Sequence, residues 1–289
     1  MSYLLHVLIM ISIYSILALS LNMLVGYTGL LSLCQGAFYG IGAYACTLLV
    51  MKAGLGFVPA LLLAMAMTAL FSLIISVPSL RLKGDYFVLA SLGFQIIAFS
   101  LLYNWVDLTG GPFGISGIPR PSVFGLHIDT LEAYLIFSGV IALVSALLIY
   151  TIASSPFGRL LKAIREDEVA AMALGKDIVR VKIVLFAIAA AFAAVSGGLL
   201  AGYLRFIDPT SFTLSESVFI LSIIIIGGTG NILGPLVGTV LMIFLPEILR
   251  FVDIPDAIAA NVRQIIYGAL IIFIVRYRPR GLLGEYRLQ

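Results

Sequence analysis

The densest cluster of reactive side chains lies between Ser155 and Lys182. There Arg159, Lys162, Arg165, Lys176, Arg180 and Lys182 surround three consecutive carboxylates, Glu166, Asp167 and Glu168. Basic residues alone would serve as an anchor on acidic lipid, but three carboxylates in a row add nothing to that attraction. The mixture suits docking to a protein partner. Ser155 can cap a helix, Pro156 suits its first position, and Gly175 can adopt the left-handed conformation that ends one. Phe157, Leu160, Leu161 and Ile164 then share one face, with Arg159, Lys162 and Arg165 off it. A short amphipathic helix is expected, with Ala170 and Ala171 small enough to seat in a partner's groove.

A second kind of site lies where glycines interrupt apolar sequence: Gly26, Thr28 and Gly29, and again Gly227, Gly228, Gly230 and Asn231. A helix starting after Thr28 or Asn231 would aim its partial positive end at whatever fills a neighbouring cavity, which suits a carboxylate. The competing reading is close helix packing, which fits the small-xxx-small pairs Gly36/Gly40, Gly198/Gly202, Gly230/Gly234 and Gly234/Gly238. Gln35, the most polar side chain deep in an apolar run, either bonds to a neighbouring helix or lines a path through the bundle. His6 and His127 read as an interfacial and a loop residue. No catalytic dyad or metal cluster is visible, and Cys34 and Cys46 suggest neither a disulfide framework nor a metal site. There is no G-x-x-x-x-G-K-[ST] loop for a nucleotide phosphate, since GGTGNILG lacks the lysine.

The elements that must position these residues are membrane helices. Hydrophobic residues make up 62% of the 289 positions and charged residues 11%, far from the roughly 45–50% and 25% of soluble domains. No Asp, Glu, Lys or Arg occurs in 1–51, 53–80, 86–106, 133–158, 183–204 or 217–246. About 20 apolar residues cross the hydrocarbon core as a helix, and lipid leaves the backbone little alternative. Helices are expected near 4–25, 29–50, 57–77, 86–103, 133–153, 183–204, 217–226, 232–249 and 264–275. The fold class is an all-α polytopic transmembrane bundle of about 8–10 spans including broken helices, in a single domain over 1–289. The first apolar run reads as a retained helix rather than a signal peptide. The stretch at 217–226 is too short to span, so it forms either two passes with a break or one re-entrant element. GYTGLL at Gly26–Leu31 echoes GGTGNIL at Gly227–Leu233, and an internal repeat is one reading of that echo.

Basic residues set the orientation. The loop 154–182, the tail with Arg276, Arg278, Arg280 and Arg287, and the turn with Arg81 and Lys83 fall on one side. Lys52, Arg120, Arg205, Arg250 and Arg263 fall on the other. The richer side is expected to be cytoplasmic, C-terminus included, and the long loop 104–130 extracytoplasmic.

SPFGRLLKAIREDEVAAMALGKDIVRVK resembles the cytoplasmic coupling loop of branched-chain amino-acid ABC transporter permeases of the LivM/LivH type. The resemblance continues through KIVLFAIAAAFAAVSGGLLAGY, LNMLVGYTGLLSLCQGAFYGIGAY, LKGDYFVLASLGF, NWVDLTGGPFGISGIP and IIGGTGNILGPLVG, which together cover most of the chain in the expected order. LTGGPFGI favours the LivM type. The family's usual longer N-terminal region is absent. The resemblance implies a non-enzymatic permease subunit in the cell (inner) membrane, part of an ATP-driven importer. Its partners would be a LivH-like second permease, two ATPase subunits that bind the ATP, an extracytoplasmic solute-binding protein and the lipid bilayer, with no nucleic acid. Arg159, Arg165, Glu166, Glu168, Ala170, Ala171 and Gly175 would couple to the ATPases; Gly26, Thr28, Gly29, Gln35, Gly227, Gly228, Gly230 and Asn231 would line the translocation pathway. Branched-chain or other neutral amino acids are the expected solutes, with urea or short amides as the alternative. A proton- or sodium-driven carrier needs intramembrane carboxylates or other coordinating groups, and the charge-free runs disfavour it. A channel would not require the charged loop.

Overall fold

The computed structural model describes residues 2–79, 85–123, 126–250, 256–278 and 281–284. Arg81, Lys83, Arg280 and Arg287 lie outside the described residues. Helices follow almost without interruption: α1 (Ser2–Thr28), α2 (Gln35–Met51), α3 (Phe57–Ser79), α4 (Asp85–Asn104), α5 (Val106–Thr109), α6 (Leu131–Ser154), α7 (Pro156–Glu166), α8 (Glu168–Ala173), α9 (Ile178–Leu204), α10 (Leu214–Gly227), α11 (Leu233–Arg250) and α12 (Asp256–Tyr277). Five of these (α1, α3, α4, α6 and α9) are long and apolar enough to cross a membrane. Four others (α2, α10, α11 and α12) contain shorter apolar stretches. The protein is therefore a multi-pass membrane helix bundle.

α1 and α9, each 27 residues long, form the centre. α9 is packed along α2, α3 and α1, with Leu185, Phe186, Ala189, Ala190, Ala193 and Ala194 fully enclosed. Without a hydrophobic driving force between helices in lipid, small residues that let backbones approach decide where they meet. A Cβ on Gly42 of α2 would lie 2.2 Å from Cα of Ala194, and one on Gly197 of α9 would lie 2.3 Å from the carbonyl of Tyr39. α6, by contrast, leaves Ile136, Val140, Leu143, Leu147 and Tyr150 exposed, as a lipid-facing helix does.

Two ends can be told apart. At one, the segment 104–130 carries α5, a 3₁₀ turn at Gly111–Phe113 and β1 (Ile115–Ser116), followed by the hairpin of β2 (Ser122–Val123) and β3 (Leu126–His127). β4 (Phe206–Ile207), after α9, pairs antiparallel with β1. The N-terminus of α1 lies at this loop end, because His6 Nδ1 and Tyr203 Oη are hydrogen-bonded at 2.7 Å. The other end carries α7, α8 and the tail residues 281–284.

The helix boundaries correct the sequence reading at three places. Gly26 does not interrupt a helix: α1 continues to Thr28, where Thr28 Oγ1 donates to the Leu24 carbonyl. No helix starts at Gly29. Gly29, at φ 71°, ends the helix, 29–34 is non-helical, and α2 begins at Gln35. The amphipathic helix that was expected to run from Pro156 to Gly175 is two helices, because Asp167 takes an extended conformation and caps α8 through its carboxylate.

Candidate functional site

Ser155 Oγ accepts from the amides of Phe157 and Gly158, so it caps α7 as its sequence position indicates. Leu161 and Ile164 of α7 are buried. Ala171 is buried as well, packed with Ile164 and Ile178, so it fixes α8 in place and does not offer a docking surface. The three carboxylates have local partners: Glu166 pairs with Arg165, Asp167 caps α8, and Glu168 pairs with the buried Lys182. What α8 presents outward is apolar, with Val169, Met172 and Leu174 at 70%, 51% and 79% exposure beside exposed Ala170, Ala173 and Gly175. Arg159 is exposed on α7.

Arg165 turns inward. Its side chain is 11% exposed, and Nη1 donates to the carbonyl of Gly26 at 2.6 Å. Lys162 lies 5.5 Å from the ring centre of Tyr27. α7 is thereby pinned to the last turn of α1. Directly behind that turn, the two glycine segments meet. Asn22 of α1 accepts from the Gly230 amide through Oδ1 (3.1 Å) and donates to the Asn231 carbonyl through Nδ2 (2.7 Å). A Cβ on Gly26 would stand 2.6 Å from the Gly230 nitrogen, which leaves room only for hydrogen. Gly228 and Gly230 have φ of 104° and 93°, a region other residues rarely enter. Asn231 Oδ1 accepts from Gly234 and so serves the start of α11. The tail completes the joint: Leu282 and Leu283 donate to the carbonyls of Ile226 and Gly227, which the end of α10 leaves open.

A second junction lies deeper, where α2 and α10 both begin. The Gly36 amide donates to Ser217 Oγ (2.9 Å), and the Ala37 amide donates to Gln95 Oε1 (2.7 Å). Ser217 Oγ also donates to Gln95 Oε1, and Gln95 Nε2 donates to the Phe212 carbonyl. From here α2 (17 residues) runs to the loop end, while α10 (14 residues) runs to the glycine joint. Both are short because they start inside the bundle. Gln35 Nε2 donates to Ser20 of α1, and its Oε1 has no partner among the described residues.

A family model described as branched-chain amino acid transport system / permease component matches residues 3–275. This chain belongs to that family. The high-affinity branched-chain amino acid transport system permease LivM of Salmonella typhimurium is 38% identical over 97% of this chain and 70% of its own length. LivM of Escherichia coli is 37% identical over 96% and 69%. LivH of Escherichia coli is 28% identical over 95% and 92%. The greater identity to LivM agrees with the LTGGPFGI signal. No solved structure matches the chain.

Within this permease fold, sequence reasoning missed Asn22, Gln95 and Glu216. Asn22 and Gln95 are single amides inside uniformly apolar helices, with no local pattern to mark them. Glu216 immediately precedes the charge-free run 217–246, and Tyr14 Oη donates to its Oε1 at 2.6 Å. Tyr14 lies midway along the span Tyr3–Thr28. The inference that the spans lack carboxylates at depth is therefore corrected.

Proposed function

We propose that this chain is the LivM-like permease subunit of an ATP-driven importer, passing branched-chain or other neutral amino acids across the cell (inner) membrane. In this reading it does no chemistry of its own. A LivH-like permease completes the membrane part, two separate ATPase subunits bind the ATP, and an extracytoplasmic solute-binding protein delivers the solute. The whole chain acts as one permease domain. The end carrying α7, α8 and the C-terminus faces the cytoplasm, consistent with its excess of Lys and Arg.

The observation that carries the coupling role is the exposed apolar crest of α8 beside charged residues at a membrane-protein end, since patches of this kind mark interaction sites. Val169, Ala170, Met172 and Gly175 meet the ATPase, with Arg159, Glu166 and Glu168 at the rim setting orientation. Ala171 and Arg165 act from behind: one seats α8, the other passes its movement to Gly26. Gly26, Thr28, Gly29, Gln35, Gly227, Gly228, Gly230 and Asn231 then form or border the moving wall of the pathway. The test is a reconstituted complex carrying Met172→Asp. Leucine uptake should fall at least tenfold with the permease pair still inserted and paired. Normal coupling of ATP turnover to uptake in that variant would place the docking surface elsewhere.

A further inference from the structure

Glu216 has no part in the coupling loop, the glycine joint or the packing of α9. It stands in the first turn of α10, in an otherwise apolar helix, partly buried beside exposed Ser215 and Val218. Its bond to Tyr14 sets its depth near the middle of α1. Tyr14 is itself fixed by aromatic neighbours, with Phe219 edge-on at 5.6 Å and Tyr39 at 6.5 Å between ring centres. Among the described residues no Lys or Arg pairs with Glu216. An ionisable group at this depth is costly and persists where it serves a pathway or a partner. The phenol bond takes up one lone pair of Oε1 and leaves the carboxyl group further acceptor positions, so the group suits a cationic donor delivered from outside the chain.

Ser215 is exposed beside it, and Thr210 and Ser211 are exposed in the 3₁₀ turn Pro209–Phe212 that precedes α10. We propose that Glu216 receives the ammonium group of the transported amino acid at the middle of the membrane, with Tyr14 holding the carboxylate in position. The proposal rests on the reading that the solute is an amino acid, and it adds the group that recognises the amine. The starts of α2 and α10 lie close by and carry partial positive charge. In α2 the amides of Gly36 and Ala37 are occupied by Ser217 and Gln95, and in α10 those of Glu216 and Ser217 go to the Thr213 carbonyl; with the carboxyl group between them, the amine is the end of the solute this site selects.

The test uses the reconstituted four-subunit-type importer with its solute-binding protein and radiolabelled leucine. Glu216→Gln should assemble, keep ATP turnover stimulated by the loaded binding protein, and lose leucine uptake at least tenfold; Glu216→Asp should recover part of it. Uptake by Glu216→Gln at the wild-type rate overturns the proposal. So does failure of that variant to assemble beside a normal Glu216→Asp complex, which would assign the carboxylate to an ion pair between permease subunits. Independently, Ser215→Cys should react with a membrane-impermeant cationic thiol reagent, the native Cys34 and Cys46 being buried. An unreactive Cys at that position places this face in lipid and also overturns the proposal. A wild-type complex that takes up no leucine while Ser215→Cys is labelled would instead overturn the choice of solute.

Discussion

Two junctions interrupt the helices of this bundle, and they are closed by different means. The joint of Gly26 with Gly228–Asn231 is made at backbone level: glycines admit main chain against main chain, and one amide side chain, Asn22, serves both a nitrogen and a carbonyl. The junction where α2 and α10 begin is closed by side chains from several helices, Gln95, Ser217, Ser20 and Gln35. Backbone contact has one geometry and transmits displacement. Side-chain caps can rotate away and return. The first junction suits a rigid link to α7, the second a site whose polar groups exchange partners as the wall moves.

The largest effect should come from Gly26→Leu. Its side chain would have to displace the Gly230 backbone, 2.6 Å from the added Cβ, which cannot yield as a side chain can. The cost should therefore lie well above the range of about 1–3 kcal/mol typical of an overpacked core. Loss of assembled complex is expected, measured by co-purification of the permease pair. Gly198→Leu is the comparison: its nearest obstacle is the flexible tip of Leu61, 2.5 Å from the added Cβ. It should retain more complex than Gly26→Leu, and the reverse order would break the distinction between rigid and yielding contacts.

Asn22→Leu should follow. It strands the Gly230 amide and the Asn231 carbonyl in a buried setting, at about 1–3 kcal/mol for each unsatisfied group. The melting temperature of the detergent-solubilised complex should fall clearly, more than for Thr28→Val, which removes only a bond within α1. Equal melting temperatures would mean that the glycine contacts alone hold the joint.

These positions also show what was legible in the sequence. Lipid forces helices, so the charge-free runs located most of them, and the Ser155-Pro156 cap marked α7. The start of α2 was not legible. LLSLCQ is as apolar as a helix, and what ends helicity there is Gly29 with partners from distant helices, Gln95 and Ser217. Arg165 reads as a surface cation by type and turns inward only because the Gly26 carbonyl is within its reach. The depth of Glu216 was not legible either, because it depends on where α10 begins, and that is set by β4 and the 3₁₀ turn Pro209–Phe212 before it, not by local pattern.

Arg165→Met sharpens the proposed transmission between α7 and the joint. The guanidinium-to-carbonyl bond to Gly26 contributes about 1.5–3 kcal/mol, too little to govern assembly of the whole bundle. The expected outcome is normal complex recovery, ATP turnover close to wild type and leucine uptake reduced severalfold. Uptake and turnover falling in equal proportion would show that Arg165 supports α7 and carries no motion.

The smallest change in stability should come from Gln35→Met, at the side-chain junction. Gln35 makes one bond, to Ser20, and leaves its carbonyl oxygen without a partner among the described residues. An apolar side chain of similar length loses one bond of about 0.5–1.5 kcal/mol and removes a buried unsatisfied acceptor that costs about as much. The melting temperature should therefore stay near that of the wild type. If the junction opens to the solute during transport, the lost amide will be felt there instead, as a severalfold higher leucine concentration for half-maximal uptake. An unchanged uptake curve at unchanged stability would make Gln35 a filler of the bundle, and would leave the side-chain junction no more open to exchange than the glycine joint.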